Sequence, residues 1–255
     1  MKITKPASAK DRIVLALDVD NINTAKDIVT ELKDYVGFFK VGLQLLTSCG
    51  FEAIKMVKET GGKVYCDLKF HDIPNTVAHA CANLVKRNID FFNIHLQGGS
   101  KMVSQVVKAA KETSKDLNTE PPTILGVSLL SSFGQRTLTQ ELCVDKNIEE
   151  YIMQLALMAK ETGLDGIVAS AAEARKIRNE LGDDFIIMCS ATRPTWAAVN
   201  DQVRVDTPTE AINAGVDYLV IGRPVTEAPD RIAAVNLIID EINTALNEQV
   251  ILGGR

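Results

Sequence analysis

The sequence lacks the features that would point to a membrane-bound or nucleic-acid-binding protein. No apolar run approaches the roughly 18 residues that a membrane-spanning helix needs. No signal pattern precedes Arg12. The net charge of −5 argues against a general nucleic-acid-binding surface, which would need a basic face. We therefore expect a cytoplasmic protein that binds neither membranes nor nucleic acids.

Cysteine and histidine are too sparse to suggest a disulfide framework or a metal site. The five cysteines are odd in number and lack the paired spacing of zinc ligands. Three of them lie in apolar runs, which predicts buried thiols. The three histidines, His71, His79 and His95, form no metal-binding set. Neither a disulfide framework nor a zinc site is therefore expected, and a catalytic metal is unnecessary but not excluded.

A glycine-rich dinucleotide loop is also missing. The first apolar run ends at Asp18-Val-Asp20-Asn, where a doubly wound sheet more often carries glycines. Eight largely apolar segments alternate with helical patterns, and continuous apolar runs are typical of parallel strands covered by helices. The predicted strands are 13–18, 38–42, 64–69, 91–96, 123–129, 166–169, 185–189 and 217–222.

This alternation and the length of 255 residues predict an α/β fold, a single-domain (β/α)8 TIM barrel. We assign the barrel to residues 12–255 and a flexible arm to residues 1–11. A doubly wound open sheet is the alternative. The periodicity predicts one amphipathic helix over 43–59 and one final helix from about 226 to 247.

The most informative stretch is Asp67-Leu-Lys-Phe-His-Asp-Ile-Pro-Asn-Thr76. Side chains alternate along a strand, so Asp67 and Lys69 share one face while Leu68 takes the other. Asp72 lies three residues beyond Lys69, which predicts two carboxylates flanking one ammonium. Charged residues at strand ends usually form weak, solvated pairs. An acid and an amine on the inward face of an otherwise apolar strand favour a functional site instead.

Other strand ends carry charge as well. Asp18, Lys40 and His95 end predicted strands, and the carboxyl ends of barrel strands open on one face. Gly222 and Arg223 follow the eighth strand and precede a helix, where this fold usually binds phosphate. A plain glycine turn with a surface arginine is the alternative reading.

The seventh connection, residues 190–206, is long for a βα loop, most of which run about 2–6 residues. It predicts either a lid that closes over a ligand or a mobile solvent loop. Its candidate contact residues are Arg193, Trp196, Gln202 and Arg204.

Taken together, these motifs resemble the orotidine 5′-phosphate decarboxylase family over nearly the whole chain. The resemblance implies decarboxylation of orotidine 5′-monophosphate to UMP and CO2 in de novo pyrimidine biosynthesis, without metal or cofactor. It rests on Leu15-Ala-Leu-Asp18, Lys40-Val-Gly42, the stretch from Asp67 to Thr76, Asp201-Gln202 and Asp217-Tyr-Leu-Val-Ile-Gly-Arg-Pro224.

The resemblance also implies a role for each matching residue. Lys69 would protonate C6 of the pyrimidine, within a charged array that includes Lys40, Asp67 and Asp72. In a homodimer, Asp72 and Thr76 would reach into the partner subunit's site. The residues implied to bind the substrate are Asp18, Ile73, Thr76, Ser131, Arg193, Gln202, Gly222 and Arg223, the last four at the 5′-phosphate.

One segment departs from the family pattern. Ser190-Ala191-Thr192 stands where the family usually has Thr-Pro-Gly ahead of the lid arginine. Glycine tolerates backbone angles that threonine does not, so we expect altered lid geometry.

Two other functions remain open. A Mg²⁺-dependent sugar-phosphate lyase or decarboxylase of the same superfamily, such as hexulose-phosphate synthase, uses a similar Asp-x-Lys-x-x-Asp run. A non-catalytic nucleotide-binding barrel would keep the scaffold alone. The run from His71 to Thr76 favours the nucleotide enzyme.

Overall fold

Eight parallel strands close into a barrel in chain order, with β8 paired to β1. The computed structural model describes residues 5–190, 192–197 and 206–253, with side chains up to residue 249. The strands are β1 Ile13–Ala16, β2 Phe38–Gly42, β3 Val64–Phe70, β4 Phe91–His95, β5 Thr123–Val127, β6 Gly166–Ala169, β7 Ile186–Cys189 and β8 Tyr218–Ile221. The predicted (β/α)8 barrel is confirmed, and the open sheet is excluded.

Ten α-helices lie in the described part of the chain, and they connect and cover the strands. They are α1 Ile22–Leu32, α2 Leu43–Cys49, α3 Glu52–Glu59, α4 Pro74–Val85, α5 Gly99–Asp116, α6 Ile148–Glu161, α7 Ala171–Leu181, α8 Pro208–Asn213, α9 Arg223–Thr226 and α10 Arg231–Gly253. Within that same part, none is both long and apolar enough to cross a lipid bilayer.

Two helix predictions were wrong in their bounds. The single helix expected over 43–59 is two helices, because Gly50 adopts a left-handed φ of 63° that ends α2. The final helix begins at Arg231 rather than near 226. Asp230 precedes it and accepts a hydrogen bond from the N–H of Ala233 at 2.9 Å, which is the geometry of a helix N-cap.

The predicted N-terminal arm is described from residue 5 onward. Ala9 is buried, and Lys10–Arg12 form a 3₁₀-helix that leads into β1. The Lys5 ammonium lies 3.1 Å from the buried carboxylate of Asp217, at the amino end of the barrel. Residues 1–4 lie outside the described range.

The apolar core has two parts, one on each side of the strands. The larger part lies between strands and helices and contains Cys66, Cys81 and Cys189, whose burial raises the pKa of each thiol to about 12. The three core thiols predicted from the sequence are therefore confirmed.

The smaller part of the core lies inside the barrel, where aromatic rings fill the amino end. Phe38, Tyr65, Phe91 and Tyr218 are the first or second residues of their strands and are at most 3% exposed. The Phe91 ring packs edge-on against Phe38 at 4.8 Å and Tyr218 at 5.3 Å between centroids. Asp67, Lys69 and His95 lie towards the opposite, carboxyl ends of their strands.

Candidate active site

Two adjoining cavities open at the carboxyl end of the barrel. The larger, about 490 Å³, is lined in part by residues from β1, β2, β3 and the segments after β7 and β8. The smaller, about 250 Å³, extends between β3 and the loop after β5. Asp67, Ser190 and Val220 line both cavities, so Asp67 stands at their junction. Of the predicted site residues, the larger cavity contains Asp18, Lys40, Asp67, Arg193, Gly222 and Arg223, and the smaller contains Asp67, Lys69 and Ser131.

Four side chains from three strand ends form a chain of alternating charge. The Lys40 ammonium lies 2.9 Å from Asp18 Oδ1 and 3.5 Å from Asp67 Oδ2. The other oxygen of Asp67 lies 2.6 Å from Lys69 Nζ, as expected for residues on one face of a strand. The side chains of Lys40 and Asp67 are 10% and 14% exposed, whereas that of Lys69 is 33% exposed. Lys69 is therefore the more accessible of the two amines.

The environment of Asp67 favours its charged form. Burial alone would raise the pKa of this carboxyl, but the charges of Lys40 and Lys69 act in the opposite direction. Hydrogen bonds from Lys69 and Asn93 add to their effect, and the pKa of Asp67 lies below its ordinary value. An ionised Asp67 keeps two ammonium groups close together without leaving either charge unpaired.

The backbone of β3 is irregular where Lys69 projects. Pairing with β4 shifts between Cys66 and Phe70, and Lys69 has a left-handed φ of 49°. Its N–H donates to Asn93 Oδ1 at 2.8 Å instead of to a strand carbonyl. Asn93 was not a predicted site residue. The sequence does show an amide on the inward face of the apolar run Phe91–His95. It does not show the register shift between β3 and β4 that brings this amide to the N–H of Lys69.

Asp72, Ile73 and Thr76 follow the carboxyl end of β3 and lie on the surface of the protein. All three are exposed, Ile73 by 67%. Asp72 Oδ1 accepts from the N–H of Ile73 at 2.6 Å, and among the described residues it pairs with no lysine of its own chain. Within one chain, therefore, Lys69 has one flanking carboxylate rather than the expected two.

Two arginines line the larger cavity, one from the seventh connection and one from the start of α9. Arg193 is 6% exposed, and its N–H donates to the carbonyl of Asp206 at 2.9 Å. Thr192 and Asp206 form a parallel bridge at the base of the seventh connection. Arg223 begins α9 directly after Gly222. The exposed Trp196 lies on the same connection, whereas Gln202 and Arg204 fall outside the described residues.

His95 is buried at the end of β4, and its ring stacks on that of His71 at 5.3 Å between centroids. Burial, with smaller contributions from the charges of His71 and Lys69, lowers the pKa of His95 to about 4. The imidazole is therefore neutral near pH 7. Its burial agrees with the sequence-based interpretation of His95 as a core histidine, and the low pKa makes the imidazole a weak base.

The arrangement suits the recognition and stabilisation of negative charge. A partly buried ammonium at a cavity wall can stabilise a developing anion and donate a proton to it. Arginine forks in the larger cavity can bind a phosphate. Within the described parts of the chain, no group of three histidine, cysteine, aspartate or glutamate side chains is placed to hold a metal ion.

Comparisons with known proteins give one consistent family. A model of the "Orotidine 5′-phosphate decarboxylase / HUMPS family" matches residues 11–238. An orotidine 5′-phosphate decarboxylase of Moorella thermoacetica is 45% identical, covering 92% of this chain and 93% of its own length. The enzyme of the same name from Syntrophotalea carbinolica is 43% identical, covering 94% of this chain and 98% of its own length. The crystal structure of orotidine 5′-phosphate decarboxylase from Lactobacillus acidophilus aligns with a TM-score of 0.80 at 33% identity, covering 91% of this chain and 98% of that one.

Proposed function

Because the chain belongs to the orotidine 5′-phosphate decarboxylase / HUMPS family, we propose that it converts orotidine 5′-monophosphate to UMP and CO2. The reaction is the decarboxylation step of de novo pyrimidine biosynthesis, and it needs neither metal nor organic cofactor. The observation that carries this proposal is the charge chain Asp18–Lys40–Asp67–Lys69 along the wall between two joined cavities.

The two cavities suit the two ends of a nucleotide. The 5′-phosphate occupies the larger cavity, against Arg193, Gly222 and Arg223. The pyrimidine enters the smaller cavity, where Lys69 and Ser131 line the wall. The ribose lies between them, near Asp18 and Lys40. This orientation brings C6 of the base towards the Lys69 ammonium.

Lys69 then supplies both a charge and a proton. The bond between C6 and the carboxylate breaks, CO2 leaves, and the electron pair stays on C6 in an orbital that the ring carbonyls cannot delocalise. The ammonium stabilises this pair and transfers a proton to C6, which gives UMP and a neutral amine. Solvent restores the ammonium before the next turnover. Asp67 holds the amine in place at 2.6 Å until the transfer.

A single lysine is not enough to account for the catalysis. Two unit charges about 4 Å apart interact by about 4 kcal/mol at an effective dielectric of about 20. Enzymes typically lower barriers by about 8–23 kcal/mol. The remainder has to come from the whole preorganised site and from binding of the non-reacting phosphate.

The exposed residues that follow β3 belong to a second part of the proposal. Asp72, Ile73 and Thr76 have no buried position within their own chain. In a homodimer they enter the site of the partner subunit, where Asp72 supplies the second carboxylate beside Lys69.

A spectrophotometric assay tests the proposal directly. Purified protein with orotidine 5′-monophosphate and excess EDTA should lose the substrate absorbance and accumulate UMP. Lys69→Ala should lower kcat by roughly 10³-fold or more, because the ammonium acts in the transition state. Lys108→Ala, on an exposed lysine of α5, is the matched control and should leave kcat unchanged.

Two outcomes would reject parts of this scheme. Activity that disappears in EDTA and returns with Mg²⁺, on a sugar phosphate rather than the nucleotide, would assign the chain to the lyase alternative. Decarboxylation that survives in a folded Lys69→Ala variant would remove Lys69 from the mechanism.

A further inference from the structure

The side chain of Asn93 on β4 uses its whole amide to contact β3. Its Oδ1 accepts from the N–H of Lys69 at 2.8 Å. Its Nδ2 donates to Asp67 Oδ1 and to the hydroxyl of Tyr65, at 2.7 Å each. An amide has two N–H donors and one carbonyl acceptor, so every group is partnered. Asn93 is 0% exposed, and each partner is a residue of the strand that carries the reacting amine.

The backbone that Asn93 holds is unusual. Lys69 has a φ of 49°, a strained left-handed angle that a residue with a side chain keeps only where its surroundings impose it. The ladder between β3 and β4 shifts at this point, so the N–H of Lys69 has no strand carbonyl to meet. Asn93 Oδ1 takes the place of that carbonyl.

We propose that Asn93 is a positioning residue for decarboxylation, which fixes the backbone of Lys69 and the carboxylate of Asp67 in one arrangement. This deepens the proposed function and rests on it. As far as the described residues define the two cavities, Asn93 lines neither of them. It therefore acts through Lys69 and Asp67 and not on the substrate.

An amide is required at this position because both a donor and an acceptor are used. The titratable groups that face it are Tyr65, Asp67 and Lys69 on β3, Lys40 on β2 through Asp67, and His95 two residues further along β4. On β5 its neighbour is the apolar Leu125. A carboxylate in place of the amide would accept from the N–H of Lys69, but it would repel Asp67.

Asn93→Ala tests the proposal, with Asp90→Ala as the matched control. Asp90 directly precedes β4, and its carboxylate accepts from the N–H of Val64 at 2.7 Å, the first residue of β3. Asn93 accepts from the N–H of Lys69 near the carboxyl end of β3, and Asp90 accepts from the N–H of Val64 at its amino end. Each variant therefore removes one side-chain hydrogen bond to the backbone of β3. Asn93→Ala should lower kcat roughly 100-fold while KM for the nucleotide changes less than about threefold, since misplacement by about 1 Å has such effects. Asp90→Ala should lower stability and keep kcat.

Asn93→Asp supplies a pH signature that lost stability alone would not give. At low pH a proton on the introduced carboxyl group restores a donor towards Asp67, so kcat relative to wild type should rise as the pH falls. In Asn93→Ala no such proton can bind, so the ratio should not rise as the pH falls. Tyr65→Phe, which removes one partner of the amide and keeps the ring, should lower kcat by less than Asn93→Ala.

A readout that does not depend on activity separates this proposal from the proposed function. The pKa of the Asp67 carboxyl, followed by ¹³C NMR, should rise in Asn93→Ala because a hydrogen bond to the ionised form is lost, and should stay constant in Asp90→Ala. An unchanged kcat and unchanged Asp67 titration in a folded Asn93→Ala variant would overturn the positioning role. An inactive wild type with the expected titrations would instead reject the decarboxylase function.

Discussion

At the scale of single residues, His95 stays uncharged and lies close to the Lys69 ammonium. His95 is buried within range of both Lys69 and His71, and burial followed by their charges lowers its pKa to about 4. A protonated imidazole there would compete with Lys69 for the negative charge of Asp67. The folded protein avoids this by keeping His95 neutral.

The depressed pKa of His95 predicts a loss of stability in mild acid. An unfolded histidine takes up a proton near pH 6.5, whereas folded His95 does so only near pH 4. Between these values the unfolded state binds more protons than the folded state. The free energy of unfolding therefore decreases by up to about 1.4 kcal/mol for each unit by which the pH is lowered. Urea unfolding at pH 7 and pH 5 should show wild type losing about 1–2 kcal/mol relative to His95→Gln.

His79→Gln, at an exposed position of α4, controls for removing a histidine from the surface. If wild type and His95→Gln show parallel pH dependence, the neutral state of His95 contributes nothing to folding.

The residues of the site differ in how well the sequence predicted them. Asp67 and Lys69 were found because strand periodicity fixes their common face, and the ion pair follows from it. Asp18 and Lys40 were found because strand ends meet in a barrel. The contacts of Asn93 with Lys69 and Asp67 were not predicted, because they depend on a shift in register between β3 and β4. Register is a property of a pair of strands rather than of either segment.

At the scale of elements, the start of β6 leaves no room for a side chain beside β7. A Cβ added to Gly166, the first residue of β6, would lie 2.1 Å from the carbonyl oxygen of Ile186. That atom belongs to the backbone of the next strand and cannot turn away as a side chain can. Glycine is therefore needed at the start of β6 for the barrel to close.

Gly166→Ala should separate these strands and destabilise the protein by about 1–3 kcal/mol or more, as overpacking in a core does. The midpoint of urea unfolding measures the change. Gly134→Ala is the matched control, because an added Cβ there meets no atom within 4 Å. Equal midpoints for the two variants would show that β6 tolerates the displacement.

Strands were easier to predict from the sequence than helix ends. The bounds of β6 agree with the prediction because a buried parallel strand is a short apolar run between turns. The break between α2 and α3 keeps apolar residues on one side, so the periodicity continues through it. Only the left-handed angle of Gly50 separates the two helices, and a glycine in a helical pattern does not by itself require that angle.

At the scale of the whole molecule, the proposed homodimer makes each site depend on two chains. The exposed Asp72 and Lys69, the more accessible amine of the charge chain, would come from different subunits. In a symmetric dimer this division can be tested by mixing defective subunits.

A refolded equimolar mixture of Lys69→Ala and Asp72→Ala subunits should recover roughly a quarter of the wild-type activity, because half of the dimers are mixed and each regains one of two sites. Either variant alone should be nearly inactive. Mixing Lys69→Ala with Asp67→Ala is the control and should recover nothing, since both residues belong to the same chain's part of the site. A mixture without recovery, or a monomer in sedimentation, would contradict the shared site.

The four aromatic rings packed at the amino end of the barrel also bear on how products depart. These rings are at most 3% exposed and fill the barrel interior at that end, whereas the two site cavities open at the carboxyl end. In the proposed reaction, the CO2 formed beside Lys69 would have to pass the bound nucleotide or leave after it. Substrate entry and the release of both products would then use the same opening. The slower of the two product releases would set how soon the next substrate can bind.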